Sequence, residues 1–220
     1  MTQMEQAKHG VVTPQIKHVA EFERRDIDFI MRGVAEGRIV IPANINHKSL
    51  IPCGIGRELK TKINANLGNS TLSSCPGAEQ SKLAIALHYG ADTVMDLSTG
   101  GEITTIRQNM LDHCPVPLGT VPVYEIVARY GSKDFSKDKI LSVIQEQAEQ
   151  GVDYMTIHAG LLHKYVPLAL KRKLGIVSRG GQLPNPELFL QKNTMKAAVL
   201  RRNKSSTPVR TSLLTTGTSA

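Results

Sequence analysis

Six short apolar stretches recur along this chain, each closing on a polar residue, and this recurrence limits the fold more than any other feature. They read R-I-V-I-P-A-N-I-N from residue 38, K-I-N-A-N-L-G-N-S from 62, A-D-T-V-M-D-L-S from 91, V-P-L-G-T-V-P from 116, V-D-Y-M-T-I-H-A-G from 152 and G-I-V-S-R-G-G from 175. Their polar tips fall near Asn44, Asn66, Asp96, Thr120, His158 and Ser178, 20 to 38 residues apart. That interval holds one strand and one returning helix. The strand interiors are almost continuously apolar, as in a parallel sheet covered on both faces. The segments between them are helical. Ser136 is placed to cap a helix carrying Ile140, Ile144 and Ala148 and closed by Gly151. A second helix spans Gln80 to His88, with Leu83, Ala84 and Leu87 on it, and a third spans Ile103 to Leu111. Strands alternating with helices predict an α/β fold, a parallel sheet with helices outside. A complete (β/α)8 barrel takes about 250 residues. Residues 38–181 supply about six parallel strands, so the expectation is an incomplete TIM-like barrel.

The flanks read differently. Residues 1–37 form an N-terminal helical segment: Thr13 precedes Pro14 at a helix start, Phe29, Ile30, Gly33 and Val34 keep helical spacing, and Gly37 ends the pattern. Residues 182–220 lose the rhythm, hold ten Ser or Thr and are broken by Pro184, Pro186 and Pro208. They are expected to be a weakly ordered basic tail. Six Lys or Arg against Glu187 give that tail +5 of the chain's net +8, so residues 1–181 carry only +3. With no Trp and 4% aromatics, platforms for stacking bases are scarce, and nucleic acid is a poor candidate partner. No apolar run reaches the ~18 residues that span a bilayer, and the start M-T-Q-M-E-Q-A-K-H-G lacks an apolar core. The expected compartment is the cytoplasm. Cys53, Cys75 and Cys114 are widely spaced and read as reduced thiols without metal-ligand spacing.

In an α/β sheet of this kind, ligands sit at the carboxyl ends of the strands. Asn44, Asn46, Asn64, Asn66 and Asn69 crowd two such ends. An amide offers a donor and an acceptor together, suited to a neutral heterocycle or a sugar hydroxyl, but Asn equally stabilises turns. His158 and His47 each follow an apolar stretch and fit either a proton-handling role or a satisfied, half-buried one. Ser178-Arg179-Gly180-Gly181 combines a hydroxyl, a guanidinium and bare backbone amides, a set that cradles phosphate; the alternative is a surface arginine beside a turn. Met95 reads as packing, and Tyr124 either covers a ring or opens a helix.

Several segments carry a resemblance. I-P-A-N-I-N-H at 41–47, K-I-N-A-N-L-G-N-S at 62–70, G-A-D-T-V-M-D-L-S-T-G at 90–100, P-V-P-L-G-T-V-P-V-Y at 115–124, T-I-H-A-G at 156–160 and G-I-V-S-R-G-G at 175–181 occur in this order. The chain resembles the phosphomethylpyrimidine synthase family of thiamine biosynthesis over residues 1–181. The resemblance implies a (β/α)8 barrel and a carbon–carbon lyase of the radical SAM type. Such an enzyme uses S-adenosylmethionine, a [4Fe–4S] cluster and zinc to turn aminoimidazole ribotide into hydroxymethylpyrimidine phosphate. It implies substrate contacts at Asn66, Met95, Tyr124, His158, Ser178, Arg179 and Gly180, and a homodimer for the family.

The departures shape the expectation. The family continues past S-R-G-G with a D-G-L-R-like loop, a substrate-contacting glutamate, two metal histidines and a C-x-x-C-x4-C cluster motif, none of which occurs here. No metal ligand is therefore assigned in this chain, and the three cysteines are not expected to replace the cluster thiolates. Residues 182–220 are read as the product of a frameshift or truncation, leaving an inactive chain with open sheet edges. The alternatives are the related hydroxybenzimidazole synthase of the cobalamin lower-ligand pathway, and a half-barrel that binds a phosphoribosyl imidazole without catalysis.

Overall fold

The computed structural model describes residues 1–70, 76–131, 136–157 and 165–175. Three helices open the chain: α1 (Gln3–Lys8), α2 (Pro14–Glu23) and α3 (Ile27–Ala35). Thr2 and Glu5 form a reciprocal capping box on α1, and Thr13 Oγ1 accepts from Ile16 N with Pro14 at the first position of α2. The apolar faces of these helices converge with Ile39 and Ile41 on one core containing Ile16, Val19, Ile30 and Val34.

The first sequence stretch does not enter the parallel sheet. Only Ile39–Val40 (β1) is a strand, and it pairs antiparallel with Ile55–Gly56 (β2). The reason is physical: Ile39 and Ile41 are consumed by the helical core, and Pro42 has no N–H to extend a ladder.

The next four stretches form the expected parallel sheet, in the order β3 (Asn64–Leu67), β4 (Thr93–Asp96), β5 (Leu118–Thr120), β6 (Tyr154–Met155). Helices α4 (Pro76–His88), α5 (Ile103–His113), α6 (Pro122–Tyr130) and α7 (Lys137–Gln150) connect them, and α8 (Val166–Leu170) follows. Ser136 caps α7 through Lys139 N, and Gly151 closes it, as the sequence predicts. Four strands in sequential order, with no closed barrel among the described residues, agree with an incomplete barrel. The sixth stretch, beyond Gly175, lies outside the described residues.

Pleating divides the sheet into two faces. Val94, Leu118, Met155 and Ile157 point to the helices and are buried with Ile106, Met110, Ile126, Ile140 and Val143; Ala65 and Leu67 pack against the same core. Burying side chains of this size stabilises by about 1.5–3 kcal/mol each. The opposite face carries Asn64, Asn66, Thr93, Met95, Gly119, Tyr154 and Thr156, in registers Asn64↔Thr93, Asn66↔Met95, Met95↔Gly119 and Gly119↔Tyr154. Glycine is required at 119, because a Cβ there would lie 2.3 Å from the Tyr154 ring.

Candidate functional site

The second face brings two of the sequence-assigned residues together towards its carboxyl end. Asn66 and Met95 are register partners on adjacent strands, with Met95 half-buried and Asn66 exposed. Tyr124 follows the end of β5 on the first turn of α6, where its N–H donates to Val121 O at 3.0 Å. His158, Ser178, Arg179 and Gly180 lie outside the described residues.

Other polar tips turn out to be structural. Asp96 is 4% exposed on the helix-facing side, and its Oδ1 accepts from Ser98 N at 2.9 Å. Burial pushes its carboxyl up from the ordinary value. Thr120 Oγ1 donates to Gln147 Oε1 at 2.6 Å, and Gln147 Nε2 donates to Glu125 Oε2 at 2.6 Å. Glu125 also meets Arg107 Nη1 at 2.7 Å and Arg129 Nη2 at 2.5 Å. Burial raises the Glu125 carboxyl, but the Arg107 guanidinium outweighs it and holds the group below its ordinary value. This network locks α6 against α5 and α7 and fixes the turn that carries Tyr124.

Asn44 and His47 sit at the opposite, amino-terminal edge of the sheet. Asp153, just before β6, accepts from Asn44 N at 2.8 Å and Leu118 N at 2.8 Å, and bonds His47 Nδ1 at 2.6 Å. His47 Nε2 meets the Cys114 carbonyl at 2.7 Å, and Asn44 Nδ2 donates to the carbonyls of Ala148 and Val152. Both histidine nitrogens face acceptors, so the ring is held as a doubly protonated donor. Of the two readings open for His47, the buried and satisfied one holds. Asn69 is likewise a clamp: its Oδ1 accepts from Gly100 N and its Nδ2 donates to Gly101 O.

The polar-tip pattern passes over Thr93 and Tyr154, which meet Asn64, one of the five asparagines counted at the strand ends. Asn64 Oδ1 accepts from Thr93 Oγ1 at 2.9 Å and from Tyr154 Oη at 2.9 Å, while its Nδ2 donates to Asn66 Oδ1 at 2.7 Å. The signal was available in period two: Asn64 stands two residues before Asn66 on one strand, hence on the same face.

The Radical SAM ThiC family model matches residues 2–197. The chain belongs to that family. It is 54% identical over 183 residues to the phosphomethylpyrimidine synthase of Natronomonas pharaonis and 53% identical over 184 residues to that of Haloarcula marismortui. The first alignment covers 83% of this chain and 38% of the relative, and the second the same shares. The chain thus spans about 38% of the length of the curated relatives it matches.

Membership of a radical SAM family implies S-adenosylmethionine and an iron–sulfur cluster. The described cysteines do not fit a cluster. Cys114 is fully buried beside the amino-terminal edge of β5, and its Sγ donates to Val116 O. Burial pushes both the Cys53 and Cys114 thiols up to about 11, away from the thiolate a cluster needs. Among the described residues no three His, Cys, Asp or Glu side chains group to hold a metal, and no helix is long and apolar enough to cross a membrane.

Proposed function

We propose that this chain provides the substrate cradle of a phosphomethylpyrimidine synthase, binding aminoimidazole ribotide for conversion to hydroxymethylpyrimidine phosphate in the cytoplasm. The observation that carries the reading is the register pairing of Asn66 with Met95 on the open polar face, at the strand ends where this fold class holds ligands. Tyr124, fixed on the next turn by the Glu125 network, is the third described member of the cradle. Asn66 bonds a polar atom of the ligand, and the Met95 thioether packs against its ring. His158 is assigned to the same rim, and Ser178, Arg179 and Gly180 to the ribotide phosphate. S-adenosylmethionine and the cluster, when bound in the whole enzyme, would supply radical chemistry, and zinc completes the expected cofactor set. Among the described residues no side-chain group fits the cluster or a metal, and the role assigned to this chain is binding and orientation of the ribotide.

Calorimetry of the full chain with aminoimidazole ribotide tests the reading. Binding is expected, and Asn66→Ala should weaken it by about 0.5–1.5 kcal/mol, the net worth of one hydrogen bond. Absence of heat at millimolar ligand, or equal affinity in the variant, would overturn it.

A further inference from the structure

Asn64 determines which end of the Asn66 amide is offered to a ligand. Its Oδ1 accepts from Thr93 Oγ1 at 2.9 Å and lies 2.9 Å from Tyr154 Oη, whose one proton is shared between that oxygen and the Val94 carbonyl. Burial pushes the Tyr154 phenol up to about 12, so it carries its proton at neutral pH. Gly119 leaves the space beneath that ring, and the Tyr154 oxygen also lies 3.1 Å from Val94 O. With its oxygen fixed, Asn64 turns its Nδ2 to Asn66 and donates to Oδ1 at 2.7 Å. The Asn66 oxygen is then occupied. Its Nδ2 bonds no other described residue, and Asn66 is exposed.

We infer that Asn64 is a positioning residue, anchored by Thr93 and Tyr154, that fixes Asn66 as a hydrogen-bond donor and so selects a ligand atom with a lone pair. Ring nitrogens and ribosyl or phosphate oxygens meet that condition; an N–H on the ligand does not. This rests on reading the open face as the ribotide cradle, and it assigns the selectivity of that face to a residue two positions earlier on the same strand and face.

The test has one arm without ligand and one with it. In the ligand-free chain, hydrogen exchange followed by side-chain amide NMR should show Asn64 Nδ2 protons protected and those of Asn66 exchanging fast. Protected Asn66 Nδ2 protons mean that both amides are turned the other way and overturn the inference, whether or not any ribotide binds. The ligand arm compares Asn64→Ala with Asn64→Asp. Aspartate still accepts from Thr93 and Tyr154 but cannot donate, so Asn66 must turn its own Nδ2 inward and offer oxygen to the ligand. Asn64→Asp is therefore expected to weaken ribotide binding about tenfold, and more than Asn64→Ala, which only frees the amide. Ribose 5-phosphate is the second probe. If Asn66 meets the imidazole, its affinity stays within about twofold across both variants; if Asn66 meets the ribosyl phosphate, it falls in parallel with the ribotide. A purely structural Asn64 predicts the larger loss in alanine for both probes, and that result would refute the donor assignment. Failure of wild-type chain to bind ribotide, with the expected exchange pattern intact, counts against the cradle reading and not against the amide orientation.

Discussion

Replacing His47 by alanine should cost far more stability than a histidine near the start of a loop suggests. The side chains of His47 and Asp153 are both fully buried and 2.6 Å apart. The other partners of that carboxylate are the N–H groups of Asn44 and Leu118, and His47 also donates to the Cys114 carbonyl. Removing the imidazole leaves a buried carboxylate without its counter-charge, a loss of about 3–5 kcal/mol, against a total stability near 5–15 kcal/mol. Urea unfolding followed by circular dichroism reads this directly. A loss under about 1 kcal/mol, the range of an exposed ion pair, would refute the reasoning. The pH dependence has a definite sign. Burial lowers the His47 pKa, but the hydrogen bond and charge of Asp153 outweigh it and raise the folded value above the ordinary one. Protonated His47 therefore stabilises the fold fully below about pH 6.5, the unfolded value. That stabilisation declines as pH rises from there through the folded pKa, at up to about 1.4 kcal/mol per pH unit. The groups facing the ring are Asp153 and the carbonyls of Cys114 and Leu111, and the carbonyls do not titrate. His47→Gln should flatten the slope; a stability that climbs with pH across this window would contradict the assignment.

Glu125→Gln leaves the Arg107 guanidinium, 1% exposed, without its buried counter-charge. It should lower stability by about 3–5 kcal/mol in thermal unfolding, and a loss under about 1 kcal/mol would show that the network is not coupled. Gly119→Ala drives a methyl into the Tyr154 ring, with an expected cost of about 1–3 kcal/mol. A double-mutant cycle with Tyr154→Ala should return most of that as coupling energy, and simple additivity would place the clash elsewhere. Cys114, buried with its thiol pushed up to about 11, should react with iodoacetamide at pH 8 more than about a hundredfold slower than a free cysteine. Peptide mapping of the native chain checks this, and rapid labelling would mean that the site opens.

What the sequence made legible was local. Thr13 with Pro14, Ser136 and Gly151 mark helix ends by their own chemistry, and all appear where that chemistry puts them. The parallel order of β3 to β6 followed from spacing alone. Which polar tip lies on the open face did not follow, because the side-chain period of a strand is two and adjacent residues point to opposite faces. Asp96 looks like a functional carboxylate at a strand end, yet the Asn66↔Met95 register puts its neighbour Met95 on the open face and turns Asp96 toward the helices. Thr120 is lost the same way, one residue past Gly119. Family resemblance pointed to Asn66 and Met95, and the register places the two side by side on the open face. The two readings of His47 stayed open for a different reason. Its partner Asp153 is 106 residues away, and the intervening strands must pair before the two can meet. A polar residue closing an apolar stretch therefore leaves its face undecided, and the register of its neighbours decides whether it lies on the open face or is bolted into the scaffold.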